Sequence, residues 1–460
     1  DLGSSGRPCR FKSCCPYYHM KSQTEMSGIF CMKLEEIRMN QKLRKEANQI
    51  IAEVLASVKP DAAVKRAMRN ITFSKHVYVV AIGKAAWQMT DAAVSYLQEQ
   101  HISYEKGVVV TKYHHVMGAL PRITCVEAGH PVPDENSFRG TEEVLSMVQN
   151  LTEEDMILFL VSGGGSALFE KPKISGEELS DITEQLLASG AGIVEMNTIR
   201  KRLSQVKGGR FAQACMPAMV ETIVLSDIVG DPLDMIASGP AYPDASTCKD
   251  AGNIAKKYNL RLGSEAKACL LQETPKELAN VHTQIIGSVR QLCKAAQLSC
   301  EALGYETIVL ANDVTEEARK VGVELVKQAL LQNEICAAED EKKKVAIIAG
   351  GETIVYLQGK GLGGRNQELA FAAMKEIRGK DNIAIFSVGS DGTDGPTDAA
   401  GGYVDGDSYE ALKNAGLSYE KILQDNDCYH GLEAIDGLVV TGPTGTNVND
   451  FWIALYQGEA

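Results

Sequence analysis

Two cationic side chains stand where a small anion could be held. Lys84 follows the apolar run His76–Ile82 through a single glycine, and an ammonium there offers a compact charge to a phosphate or carboxylate. Arg365 lies in Gly363-Gly-Arg-Asn-Gln-Glu368, where a glycine-rich loop opens a helical pattern. Its planar fork suits a carboxylate or a phosphoryl group in transfer. The helix macrodipole disfavours arginine at that end, so an anionic partner is expected. Ser162-Gly-Gly-Gly-Ser166 offers consecutive backbone donors, no bulky side chain and two hydroxyls ahead of a helix-compatible segment. Such a loop can cradle phosphate, although a ligand-free strand-to-helix turn has the same composition. Asp227, Asp231, Glu352, Asp391 and Asp394 also fall just past strand-like runs. Two or three of them could hold Mg²⁺, which takes one or two carboxylates plus phosphate oxygens; the others would cap helices or turns. Asn197-Thr-Ile-Arg-Lys-Arg202 and Lys207 put basic residues on a helix, with Arg200, Lys201 and Lys207 facing either a ligand or solvent.

These side chains need elements to place them. Apolar runs at 76–82, 108–111, 156–161, 222–225, 284–286 and 307–310 read as buried strands, and helical periodicity fills the spaces between several of them. Alternation of that kind predicts βαβ units and a mostly parallel sheet. A charged run, Ala338-Glu-Asp-Glu-Lys-Lys-Lys344, reads as a solvated loop before further strands at 345–349, 383–388 and 438–441. The expected fold class is therefore α/β with two domains, each a mostly parallel sheet flanked by helices. The expected divisions are 1–40 as a disordered, targeting or cloning-derived lead, 41–335 as a Rossmann-like domain and 336–460 as a second α/β domain. Glycine, 42 of 460 residues, gathers directly after strands, which is where open α/β sheets bind ligands.

Composition removes several classes. Forty-seven basic against 60 acidic residues leave a net charge of −13, which argues against a general nucleic-acid or membrane-surface binder. No apolar run reaches the ~18–20 residues of a membrane span. The 12 cysteines include no C-x-x-C pair, so reduced thiols are expected rather than a zinc ribbon. Gly83-Lys84 is followed by Ala85, which breaks the P-loop pattern, and no G-x-G-x-x-G directly follows a predicted strand. The G-x-S-x-G elbow and the H-R-D and D-F-G kinase signatures are absent. Asp425-Asn-Asp427 starts like an EF-hand loop but has His430 where glycine is required, and His114-His115 reads as loop.

Nine motifs in order resemble one family: Ala81-Ile-Gly-Lys-Ala85, Val161-Ser-Gly-Gly-Gly-Ser-Ala167, Asn197-Thr-Ile-Arg-Lys201, Leu225-Ser-Asp-Ile-Val-Gly-Asp-Pro232, Ile236-Ala-Ser-Gly-Pro240, Gly350-Gly-Glu-Thr353, Gly363-Gly-Arg-Asn-Gln-Glu368, Ser390-Asp-Gly-Thr-Asp-Gly-Pro-Thr-Asp398 and Thr444-Gly-Thr-Asn447. Across about residues 45–455 the chain resembles the glycerate kinase family with a C-terminal MOFRL domain, in its animal form. The resemblance implies ATP-dependent phosphorylation of D-glycerate, to 2-phosphoglycerate, in serine and fructose catabolism. It implies Lys84 and Arg365 as the catalytic pair, in a cleft between the two domains. ATP phosphates would lie on Ser162, Gly163, Gly164, Gly165 and Ser166, with Mg²⁺ on Asp227 and Asp391. Asn197 and Arg200 would join Lys84 and Arg365 in binding substrate. A hydroxypyruvate reductase is the enzyme alternative, which the missing dinucleotide fingerprint disfavours, and a non-catalytic sugar-acid or nucleotide binder is the other. Small-molecule partners only, a homodimer, and a cytoplasmic or mitochondrial location complete the expectations.

Overall fold

The computed structural model describes residues 26–338, 343–380 and 382–458. Of the expected lead 1–40, residues 1–25 lie outside the described residues, and from Met26 the chain is helical to Ser57. The first sheet holds β1 (His76–Ile82), β2 (Gly107–Lys112), β3 (Ile123–Ala128), β4 (Asp155–Val161), β5 (Met219–Leu225) and β6 (Val281–Gly287). Their order is β3-β2-β1-β4-β5-β6, and every neighbouring pair is parallel, as the βαβ pattern predicted. β4 is buried at all seven positions, which explains its unbroken run of large aliphatic and aromatic residues.

The chain leaves β1 towards one edge and returns on the other side of it as β4. Their register, His76↔Asp155 through Ile82↔Val161, ends both strands at the same level. Gly83-Lys84 and Ser162-Gly163 therefore emerge side by side at the topological switch point, where the crevice of an open α/β sheet lies.

The second sheet holds β7 (Glu306–Val314), β8 (Lys344–Gly351), β9 (Ile383–Gly389), β10 (Gly401–Asp405), β11 (Leu438–Val439) and β12 (Asp450–Gln457), in the order β11-β10-β9-β12-β8-β7. Here the expectation of a mostly parallel sheet is corrected. Only β7 and β8 pair in parallel; β12 runs antiparallel between β8 and β9, and β10 and β11 continue antiparallel. β9 and β10 are joined by residues 390–400 without a helix, a connection that lets neighbouring strands reverse, and β10 and β11 pair antiparallel although three short helices lie between them. β7 and the start of the helix Ala318–Ala338 precede residue 335 in the chain, yet they pack with this second sheet.

One apolar layer serves both sheets. Val54 from the first helix, Ile223 from β5, Leu292 from the helix Val289–Ala302, Ile348 from β8 and Phe451 from β12 belong to a single buried cluster. Full burial of each such side chain contributes about 1.5–3 kcal/mol before entropy is counted. A second cluster lies under β4, where Phe159, Phe169 and Phe211 pack with ring centroids 4.7–6.1 Å apart. Phe169 follows the glycine loop directly, so this aromatic contact fixes the loop's far end.

Candidate functional site in the cleft between the sheets

Lys84 and Arg365 line one cavity of about 890 Å³ between the two sheets, together with Asp227, Glu352, Asp391 and Asp450. A smaller chamber of about 280 Å³ continues past Lys84 to Ser162, Gly163, His115, Gln88 and Thr446. The cleft thus brings together the two cations and both proposed metal carboxylates, Asp227 and Asp391.

Backbone geometry explains the loop that carries Lys84. Gly83 sits at φ +111°, and a Cβ there would lie 2.3 Å from Ser162 Oγ and 2.4 Å from Ser162 O. The Lys84 amide donates to Gly163 O at 2.9 Å, and the Ala85 amide donates to Ser162 Oγ at 3.0 Å. His115 Nδ1 donates to Lys84 O at 2.8 Å. The strand-end loops are therefore stitched together, and the lysine side chain leaves a fixed backbone. Among the described residues no carboxylate forms an ion pair with the Lys84 ammonium, which stays available to an anion.

Ser162-Gly-Gly-Gly-Ser166 is more committed to internal packing than its composition suggested. Ser162 is buried and its hydroxyl bonds to protein on both sides. A Cβ on Gly163 would meet Asp227 Oδ2 at 1.9 Å, and one on Gly165 would meet Ala237 Cβ at 2.6 Å. The helix after the loop is a single turn, Gly165–Leu168. Ser166 Oγ bonds to Ser238 Oγ at 3.0 Å, and Ser238 donates to Asn197 Oδ1 at 3.0 Å. Arg200 Nη2 donates to Ser166 O at 3.1 Å. Asn197 and Arg200 thus reach the loop's C-terminal side, while Gly163 and Gly164 face Asp227, Lys84 and His130. Ala237 and Ser238 take φ of +50° and +61°, strained values for side-chain-bearing residues, and they hold the loop from below.

Lys201, on the helix Ile193–Leu203, and Lys207, which lies past that helix's end rather than on it, are structural. Lys201 bonds to Asp244 at 3.2 Å and Asp234 at 3.3 Å, and the fully buried Lys207 pairs with Glu170 at 3.1 Å. Neither faces a ligand or solvent, the two options their spacing left open. Burial holds Lys207 down, to about 8.

Arg365 is anchored. Its Nε donates to Asp450 Oδ2 at 2.6 Å, Nη2 to Asp450 Oδ1 at 3.2 Å and Nη1 to Glu352 Oε1 at 2.9 Å. Of the five N–H donors of a guanidinium, two remain for a ligand. The carboxylate that balances it lies on β12, whose reversed direction brings Asp450 opposite both Gly351 and Gly389 at the ends of β8 and β9. The spacing around Arg365 gave no sign of Asp450, because β12 had no place in the strand pattern read from the sequence. Burial pushes the Asp450 carboxyl up, to about 7, although Arg365 pulls against it.

The candidate acids divide. Asp394 is buried and accepts from the amides of Asn366 and Gln367 at 3.1 and 2.8 Å, capping the helix Arg365–Ala373. Burial pushes it up to about 6 despite those bonds. Glu352 serves Arg365, and Asp231 lines neither cavity. Asp227 and Asp391 line both, with Asp391 Oδ1 taking only the Thr393 amide. Burial raises Asp227, and Lys84 opposes that rise while Glu352 adds to it. Among the described residues no cluster of three or more His, Cys, Asp or Glu side chains could hold a metal alone. Two carboxylates lining one cleft fit Mg²⁺, which takes one or two carboxylates and completes its shell with phosphate oxygens and water.

No described helix is long and apolar enough to cross a membrane, and Cys125, Cys215, Cys248, Cys269, Cys293, Cys300 and Cys428 are free thiols. Family comparison matches residues 46–271 to a model described as a domain of unknown function, DUF4147, and residues 345–450 to the MOFRL family. D-glycerate 2-kinase of Thermotoga maritima is 46% identical over 90% of this chain and 99% of its own length. Rat glycerate kinase is 32% identical over 90% of this chain and 93% of its own, so the chain shares more with the bacterial enzyme than with this animal one. The crystal structure of a Thermotoga maritima glycerate kinase superposes with a TM-score of 0.86 at 45% identity, covering 90% of this chain and all of that one. Motif order, a cleft that gathers Lys84 and Arg365, and these matches agree that the chain belongs to the glycerate kinase family with a C-terminal MOFRL domain.

Proposed function

We propose that this chain transfers the γ-phosphoryl group of ATP to D-glycerate, giving 2-phosphoglycerate, in serine and fructose catabolism. The observation that carries the proposal is the cleft that Lys84, with no ion pair among the described residues, shares with an anchored Arg365 and the carboxylates Asp227 and Asp391. Phosphoryl transfer asks a protein for position and charge more than for covalent chemistry. Lys84, on the first sheet, holds the transferring group or the glycerate carboxylate as a point charge. Arg365, fixed by Asp450 and Glu352, offers its two remaining donors at a preset angle. Gly163 and Gly164 let phosphate approach the backbone, and Asn197 and Arg200 support the loop's far side through Ser238 and Ser166. Asp227 and Asp391 are the residues that would hold Mg²⁺, which when bound neutralises phosphate charge. The Thermotoga maritima relative is named a D-glycerate 2-kinase, which supports both the substrate and the position of phosphorylation. A homodimer in the cytoplasm or mitochondrion remains the expected setting, to be checked by sedimentation and by imaging.

A coupled ADP-release assay with D-glycerate, L-glycerate and glycerol tests the reading. ADP should appear with D-glycerate, and adding enolase should then consume the product without a mutase. NADH oxidation with hydroxypyruvate in the absence of ATP would instead support a reductase.

A further inference from the structure

His130 stands two residues past the end of β3, and its imidazole rests over the middle glycine of Ser162-Gly-Gly-Gly-Ser166. The point where a Cβ on Gly164 would stand is 3.0 Å from His130 Cδ2, 3.1 Å from Nε2 and 3.3 Å from Lys84 Cε. The ring edge and the lysine stem therefore meet above the same backbone atom. The ring is half-buried, and among the described residues neither nitrogen is engaged in a hydrogen bond. An accepting hydroxyl must lie beside the phosphorus it attacks, and a phosphate held on Gly163 and Gly164 puts that hydroxyl within reach of this ring edge.

We propose that His130 is the general base of the transfer, with Nε2 accepting the proton of the attacking glycerate hydroxyl. The inference rests on the glycerate kinase reading. The hydroxyl oxygen forms the new bond to the γ-phosphorus. The bond from that phosphorus to the β–γ bridging oxygen breaks, and ADP leaves with its electron pair. The proton passes from Nε2 to solvent after product departs. The role needs a neutral ring with its own proton on Nδ1. Burial and the charges of Lys84, Lys112 and His115 hold the imidazole below its usual value, favouring that form. The Asp134 carboxylate faces the neighbouring Gly129, 3.0 Å from where its Cβ would stand.

The test compares wild-type enzyme, His130→Gln and His130→Ala in the ADP-release assay from pH 5 to 9, with thermal melting as the folding control. The expected result for His130→Gln is a kcat lower by about 10²–10⁴-fold with KM for ATP and glycerate nearly unchanged. The acid limb of the wild-type profile, lying below 6.5, should disappear in this variant. A His130→Gln enzyme that keeps its kcat, or keeps the acid limb, overturns the assignment. Should His130→Ala fail to fold, His130→Gln decides alone, since it preserves size and polarity. Wild-type enzyme that releases no ADP with D-glycerate sinks the kinase reading itself; wild-type turnover beside an unaffected variant sinks only the base.

Discussion

Lys84 and Arg365 occupy one cavity under opposite constraints. Removing the lysine takes away charge that no described carboxylate pairs with, so Lys84→Met should lower kcat/KM by about 10²–10³-fold and leave the melting temperature nearly unchanged. Removing the arginine strands the buried Asp450. Arg365→Met should lose activity and also about 2–4 kcal/mol of stability, less than for a fully buried pair because the arginine is partly exposed. Denaturant titration of both variants separates the two cases, and equal destabilisation would refute the contrast. Asp450 adds a pH signature. Its folded value is raised from 3.8 to about 7, so the native state holds a proton that the unfolded state has released. That contribution is complete below the unfolded value and is lost as pH rises through about 7. The melting temperature of wild type minus that of Asp450→Asn should therefore fall between pH 5 and 8; a flat difference would remove Asp450 as the titrating group.

Elements decide how much of this was readable beforehand. Strand ends punctuated by Gly83, Ser162–Ser166, Gly350-Gly351 and Gly389 were visible because a buried strand followed by glycine has few other meanings. Direction was not visible. A strand buried on both faces shows the same apolar run whether its neighbours are parallel or antiparallel, so β8, β9 and β12 carry no mark of orientation. The partner of Arg365 was hidden one step earlier, because β12 had no place in the strand pattern at all, and only a reversed β12 delivers Asp450 to the cleft. Asp394 takes the capping role that was left open for it beside the metal one, and the Ser162 hydroxyl, expected on phosphate, is bonded to protein. A hydroxyl and a carboxylate look the same in sequence whether they bind a ligand or satisfy amides. Asp394→Ala should cost about 1–3 kcal/mol through the orphaned amides of Asn366 and Gln367, and should lower kcat as Arg365 loses its helix end. Gly163→Ala should fold yet bind nucleotide poorly, because its Cβ would displace Asp227. Calorimetric titration with ADP and Mg²⁺ checks this, and wild-type affinity would show that Asp227 is dispensable there.

The molecule as a whole has a net negative charge around a cleft that holds cations on both walls. An anionic substrate meets Lys84 and Arg365 individually, because Asp227, Glu352, Asp391 and Asp450 line the same cleft, and the global charge sets only how the surface meets other macromolecules. One apolar layer joins the sheets on either side of the cleft. Mg²⁺ with ADP at a hundred times its Kd should add about 2.7 kcal/mol to stability. In Asp227→Asn most of the Mg²⁺-dependent part of that gain should vanish; a gain of wild-type size would move the metal elsewhere.

The place of β12 also bears on synthesis. Residues 450–457 leave the ribosome after every other described strand, yet they form a middle strand of the second sheet and complete the shared layer with Phe451 and Ile453. Until they emerge, β8 and β9 present unpaired inner edges, and Arg365 lacks its carboxylate. The nascent protein is therefore both catalytically silent and prone to edge-to-edge association until β12 is threaded home. A premature stop just before Asp450 would yield a chain for chaperones to hold rather than a slower enzyme.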